Sequence, residues 1–125
     1  SGLQDAGDTE NAFGSKVTLV DARALPGLNS LGVAMARLDI APGGLNPPHT
    51  HPRATEVLTV VEGQMYAGFL ATDGKLFAKV LNRGDAFVFP RGLVHFEFNC
   101  GAGPAVGLAG PGTRISNPCE DSELD

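Results

Sequence analysis

Residues 43–63 read GGLNPPHTHPRATEVLTVVEG, and this stretch says more about the fold than any other. Its spacing is G-x5-H-x-H-x4-E-x6-G, and the spaced residues are Gly43, His49, His51, Glu56 and Gly63. Side chains two residues apart in a strand point to the same face, so His49 and His51 are predicted to project together. Glu56 opens the next strand-like run, which brings a carboxylate close behind the two imidazoles.

A second spaced pattern supplies the remaining histidine of the chain. Residues 84–99 read GDAFVFPRGLVHFEFN, with the spacing G-x5-P-x-G-x2-H-x3-N. His95 follows His51 by 44 residues, so the fold must bring it to the first motif, which pairing of the two motifs across a barrel would do. Glu97 lies two residues beyond His95 and could share its face. A salt-bridging or buried-edge role is favoured for Glu97 over a fifth ligand.

Together the two patterns predict a metal site made of His49, His51, Glu56 and His95. A single histidine is more often a surface residue or a satisfied core residue, but three histidines in these patterns are hard to ascribe to chance. Three imidazoles and one carboxylate suit a divalent manganese, iron or zinc ion, and they leave positions open in a six-coordinate ion. Such a site fits redox or Lewis-acid chemistry on a small-molecule substrate better than a closed structural role.

The chain reads as a series of short strands separated by turns. We expect about eight strands and no helix, whereas residues 41–48 (APGGLNPP) are expected to form a loop because prolines and glycines disfavour strand pairing. Asp73 and Gly74 predict a two-residue hairpin turn with positive φ at both positions. The regular spacing predicts an all-β fold, a single β-barrel of the jelly-roll type with little helix.

Size and charge set further limits. A chain of 125 residues indicates one domain, divided here into an N-terminal arm (1–15), a barrel (16–118) and an acidic C-terminal tail (119–125). There is no basic stripe that would indicate nucleic acid as a partner, and no apolar run long enough for a membrane span. The first residues do not read as a signal peptide, although one could have been removed. Cys100 and Cys119 could bridge, stay reduced or cross-link two chains.

The quoted motifs resemble those of the germin and germin-like proteins of plants, within the cupin superfamily. Both cupin patterns are met at every spaced position, and the string PPHTHPRATE is typical of the germin branch. The resemblance runs from about residue 12 to residue 118 and implies a β-barrel with one manganese ion bound by His49, His51, Glu56 and His95. It also implies secretion to the plant cell wall (the apoplast) and a homo-oligomer, with iron or zinc as alternatives to manganese.

Three departures from the family pattern bear on function. Oxalate-oxidising germins have an active-site asparagine thirteen residues before the first histidine, where this chain has Ala36, while the second such asparagine matches at Asn46. An alanine cannot hydrogen-bond a substrate carboxylate, which disfavours oxalate oxidation. The disulfide of the family's N-terminal extension and its C-terminal helices are not found in this sequence.

The resemblance implies three functional readings. The first is a manganese superoxide dismutase, with Asn46 as a catalytic residue near the open face of the metal. The second is an oxidase or isomerase that acts on a small organic acid or phenolic metabolite at the same metal site. The third is a non-enzymatic ligand-binding or cell-wall protein.

Overall fold

A computed structural model describes residues 3–20, 35–50 and 55–112 of the chain. These residues form nine strands and no helix. The strands are β1 (Ser15–Val20), β2 (Met35–Ile40), β3 (Leu45–His49), β4 (Thr55–Glu62), β5 (Gln64–Leu70), β6 (Leu76–Asn82), β7 (Ala86–Phe89), β8 (Val94–Phe98) and β9 (Ala105–Gly112). In the described ranges, no helix is long and apolar enough to cross a membrane.

The strands form two antiparallel sheets that enclose one core. The five-stranded sheet has the order β1-β2-β9-β4-β7, and the four-stranded sheet has the order β3-β8-β5-β6. Alternate side chains point inward, and the core between the sheets contains Leu38, Ile40, Leu58, Val60, Met65, Ala67, Leu81, Phe89, Ala105 and Ala109. Burial of each large apolar side chain contributes about 1.5–3 kcal/mol. The predicted all-β barrel of the jelly-roll type is therefore confirmed.

The loop expected over residues 41–48 is confirmed for residues 41–44 and wrong for residues 45–48, which belong to strand β3. It includes Pro47 and Pro48 and lies at the edge of the four-stranded sheet. Among the described strands it pairs with β8 alone, and its register shifts between Asn46 and His49. A proline has no N–H to donate, so an edge strand with an irregular register accepts prolines that a central strand would not.

The turn between β5 and β6 also differs from its prediction. Ala71 N donates to Lys75 O, and Gly74 N donates to Ala71 O, so the connection is longer than two residues. Gly74 has φ +85°, as predicted. Asp73 does not have a positive φ, because every residue with positive φ in the described part of the chain is a glycine. Asp73 instead accepts a hydrogen bond from Lys75 N through its side chain. Its carboxylate stabilises the turn without a left-handed backbone.

The N-terminal arm is hydrogen-bonded to β2. Buried Asp39 accepts from Gly7 N and from the guanidinium of Arg37, whose Nη1 donates to Leu3 O. The hydrogen bond to Asp39 raises the pKa of Arg37 further above its ordinary value. The domain boundaries at residues 15 and 118 stay predictions, and residues 113–125, which include the predicted acidic tail, lie outside the described residues.

Two glycines with similar backbone conformations allow a matched stability test. Gly63 has φ +74°, and a Cβ there would collide with the Pro104 carbonyl oxygen; Gly74 has φ +85° and open space around the same position. We expect Gly74→Ala to cost about 1 kcal/mol, from backbone strain alone. Gly63→Ala should cost about 2–4 kcal/mol, because the backbone of Pro104 must also shift. Chemical denaturation measures both values, and equal costs would contradict the close approach at Gly63.

Candidate metal centre

The pairing of β3 with β8 brings two of the predicted ligands side by side. His49 and His95 are register partners, and their ring centroids lie 4.1 Å apart with the planes tilted by 58°. The sequence analysis expected the two motifs to pair across the barrel. These histidines instead lie on neighbouring strands of one sheet, because β3 is a strand and not a loop.

Both histidines direct the same nitrogen to the backbone. His49 Nδ1 lies 2.7 Å from Pro47 O, and His95 Nδ1 lies 3.2 Å from Leu93 O. A carbonyl oxygen only accepts hydrogen bonds, so each Nδ1 carries the proton and donates it. With Nδ1 turned to the backbone, each imidazole directs Nε2 away from that carbonyl, an orientation that is common in metal-binding histidines.

Glu56 reaches the histidines from the opposite sheet. Its Oε2 lies 3.5 Å from His95 Nε2, and the His95 side chain is 2% exposed. Glu56 pairs in register with Phe89 of β7, and the Phe89 ring stacks on the His95 ring at 4.5 Å between centroids. Phe89 is itself 1% exposed. The aromatic ring therefore fixes the His95 plane from the same sheet that supplies the carboxylate.

Glu97 is a second carboxylate at this site. It follows His95 by two residues on β8, and it is 1% exposed. Asn46, its register partner on β3, donates from Nδ2 to Glu97 Oε2 at 2.8 Å. The sequence analysis favoured a salt-bridging or edge role for Glu97. The spacing had already suggested that Glu97 shares the face of His95, but its burial and its pairing with Asn46 depend on β3.

Burial and charge shift the protonation of this cluster. Burial raises the pKa of Glu97 to about 7, while His95 and the hydrogen bond from Asn46 lower it and Glu56 raises it further. Burial lowers the pKa of His95, but the hydrogen bond to Glu56, the Leu93 carbonyl and the charges of Glu97 and Glu56 outweigh this effect, so the pKa is raised. A divalent cation that binds here must therefore displace protons.

The donor atoms fit a divalent metal ion. Among the described residues, the ligand atoms that lie within 4.8 Å of one another belong to Glu56, His95 and Glu97. Imidazole nitrogens and carboxylate oxygens suit manganese, iron or zinc. Of the predicted set, the structure thus brings Glu56 and His95 together, whereas His49 lies beside His95 but outside this group of ligand atoms. His51 lies outside the described residues, and the complete ligand assignment stays a prediction.

Ala36 lies on the inner face of the same sheet as Glu56. It is the register partner of Ala109, which is in turn the partner of Leu58. Glu56 precedes Leu58 by two residues and so shares its face. The Ala36 methyl packs against the core. An apolar side chain therefore lies on the same inner face as Glu56, two strands away, at the position where the family resemblance implies an asparagine in oxalate-oxidising proteins.

Cys100 is not among the grouped ligand atoms of the candidate metal centre. Cys100 is exposed, and its thiol donates to Gln64 Oε1 at 3.4 Å. Cys119 lies outside the described residues, so the alternatives for the pair stay open.

Comparison with known proteins agrees with this geometry. The Cupin family profile matches residues 1–114. A germin-like protein of Mesembryanthemum crystallinum is 60% identical over 114 residues, which cover 87% of this chain and 49% of that protein. A structure of recombinant oxalate oxidase in complex with glycolate has a TM-score of 0.85 and 46% identity, covering 90% of this chain and 60% of that chain. Peruvianin-I, a cysteine peptidase from Thevetia peruviana latex, has a TM-score of 0.83 and 37% identity, and the match covers 94% of this chain and 76% of that chain.

Two antiparallel sheets around a cluster of histidine and carboxylate side chains are the features of a cupin, and the chain belongs to that family. Its relatives place it among the germin-like proteins of plants, which confirms the resemblance seen in the sequence. The chain spans about half the length of the curated relatives it matches.

Proposed function

We propose that this germin-like cupin is a manganese-dependent superoxide dismutase. The observation that carries the proposal is the cluster of buried His95 and Glu97 with half-buried Glu56, and with His49 beside His95. Its nitrogen and oxygen donors suit a redox-active divalent ion. Manganese, when bound, supplies a one-electron couple that can both accept an electron from superoxide and return one.

The side chains of the site have separate parts in this reaction. His49, Glu56 and His95 bind the ion, together with His51 as the sequence predicts. Phe89 covers one face of the His95 ring and keeps water from that side. Asn46 is oriented by its hydrogen bond to Glu97, so its amide is held in one position near the ion. Superoxide has only two atoms and needs few binding groups, which agrees with the apolar Ala36 on the inner face of the sheet that carries Glu56.

A second candidate is the oxidation of a small organic acid at the same site. The observation in its favour is the similarity to an oxalate oxidase that was solved with glycolate bound. Ala36 argues against oxalate itself, because a methyl group cannot donate a hydrogen bond to a carboxylate. The third possibility is ligand binding without turnover, which an inactive but fully metal-loaded protein would favour.

The test compares superoxide and oxalate as substrates of the wild type and of Ala36→Asn. Protein purified without added metal is analysed for manganese, and its superoxide dismutation and oxalate oxidation are then measured. We expect about one manganese ion per chain, dismutation, and no oxalate oxidation. Ala36→Asn should gain oxalate oxidation if the missing asparagine is what limits it. A fully loaded protein that oxidises an organic acid but does not dismutate superoxide would replace the first proposal with the second.

We further propose that the protein acts outside the plant cell as an oligomer of this chain, without nucleic-acid or membrane partners. Its germin-like relatives come from plants. Several large apolar side chains of β5 and β6 are exposed in the single chain, among them Leu70, Leu76, Phe77 and Val80. A second copy could cover them. Light scattering should give a mass that is a multiple of 12.9 kDa, and a monomer at all concentrations would rule the oligomer out.

A further inference from the structure

Glu97 has the position of a ligand and not only of a neighbour to the ligands. One of its carboxylate oxygens lies within 4.8 Å of the ligand atoms of both Glu56 and His95. An octahedral ion with bonds of about 2.1 Å separates its ligand atoms by roughly 3–4 Å. A small side-chain adjustment would therefore bring all three donors to one ion.

Among the described residues, the charge of Glu97 faces the imidazole of His95 and the amide of Asn46, and no lysine or arginine. Its side chain is 1% exposed, and in the described ranges its hydrogen-bond donor is the neutral amide of Asn46. The ion pairs that the described residues form with lysine or arginine do not include it. A buried carboxylate is costly without a paired charge. A divalent cation held against His95 would provide that charge.

The hydrogen bond from Asn46 also selects which oxygen is available. Asn46 Nδ2 donates to Oε2, which leaves Oε1 of Glu97 as the oxygen that this amide does not occupy. Asn46 and Glu97 are register partners, and the pairing of β3 with β8 fixes both ends of the bond. The carboxylate is thus positioned by the sheet before any ion arrives.

We propose that Glu97 is a fifth protein ligand of the bound metal ion and thereby excludes chelating acids from it. The inference rests on the metal site of the proposed function. With four ligands, a six-coordinate ion has two open positions, and a 2-hydroxy acid can bind through its hydroxyl and its carboxylate. With Glu97 bound as well, one position is left. That position accepts a ligand that binds through a single atom, such as superoxide, but it does not accept a chelating acid.

The test uses the full chain loaded with Mn²⁺, with glycolate as the chelating probe and azide as the monodentate probe. Wild type, Glu97→Gln and Glu62→Gln are compared, because Glu62 is an exposed carboxylate on β4 and controls for the lost charge. Competition with a metal-sensitive dye gives the Mn²⁺ affinity, and electron paramagnetic resonance follows the two probes. We expect azide to change the wild-type spectrum. Glycolate should leave the wild-type spectrum unchanged at concentrations at which glycolate does change the spectrum of Glu97→Gln.

In Glu97→Gln we expect at least about 10-fold weaker Mn²⁺ binding and at least about 10-fold tighter glycolate binding, whereas Glu62→Gln should match the wild type. A wild-type spectrum that responds to glycolate as strongly as it does to azide would overturn the proposal without any variant. So would an unchanged Mn²⁺ affinity in a folded Glu97→Gln protein. Loss of dismutation with the Mn²⁺ and glycolate results intact would overturn the proposed function alone.

Discussion

Replacement of His95 by alanine is expected to reduce the affinity for Mn²⁺ by at least about 100-fold and to abolish any metal-dependent activity. The imidazole lies with both carboxylates in the group of ligand atoms within 4.8 Å of one another, and its Nε2 is 3.5 Å from Glu56 Oε2. Loss of a direct ligand should exceed the 10–100-fold cost that is usual for residues that only orient ligands. Its removal also leaves Glu56 and Glu97 facing each other without the imidazole between them.

The most direct readout is the response of thermal stability to metal. A ligand at 100–1,000 times its dissociation constant stabilises the folded state by about 3–4 kcal/mol. Wild type should therefore melt at a higher temperature with Mn²⁺ than with a chelator, and His95→Ala should melt at the same temperature in both. Val94→Ala is the control, because Val94 is on the same strand and is 39% exposed. A His95→Ala protein that still gains stability from Mn²⁺ would contradict the assigned role.

The stabilisation by Mn²⁺ is expected to increase between pH 5 and pH 7.5. Burial raises the pKa of Glu97 from its ordinary 4.5 to about 7, so the metal-stripped folded protein keeps a proton that the unfolded chain releases. Stability of the stripped protein should therefore fall as the pH rises from about 4.5 to 7, by up to about 3 kcal/mol. The raised pKa of His95 acts in the same direction, because the stability it contributes is complete below pH 6.5 and is lost at higher pH.

Metal binding reverses this dependence. The ion takes the place of the protons on Glu97 and His95, so the loaded protein gains relative to the stripped protein as the pH rises. Denaturation of stripped and loaded protein at a series of pH values measures the difference. Glu97→Gln should flatten the curve of the stripped protein, while Glu62→Gln should leave it unchanged. A stripped protein whose stability rises from pH 5 to pH 7 would show that Glu97 is not buried as a protonated acid.

Much of the fold could be predicted because its signals are local. Alternating apolar residues and turn glycines identify most of the strands, and the positive φ of Gly63, Gly84 and Gly92 agrees with the turns expected around the two motifs. The failure of the loop prediction at residues 45–48 is also physical. Two prolines argue against a strand when only the chain itself is considered. Whether a strand is at an edge depends on its neighbours, and no local pattern reports that.

The candidate site divides in the same way. The sequence by itself determined which side chains can bind a metal, because histidine and carboxylate chemistry and the spacing of the two motifs belong to the chain. Only the tertiary structure decided that His49 and His95 are register partners and that Phe89 stacks on His95. It alone decided that Glu97 is buried and accepts a hydrogen bond from the Asn46 amide. These contacts join residues up to 51 positions apart. The packing of the two sheets creates the contacts, and no short stretch of sequence encodes that packing. The same packing creates the low-dielectric environment that raises the pKa of Glu97.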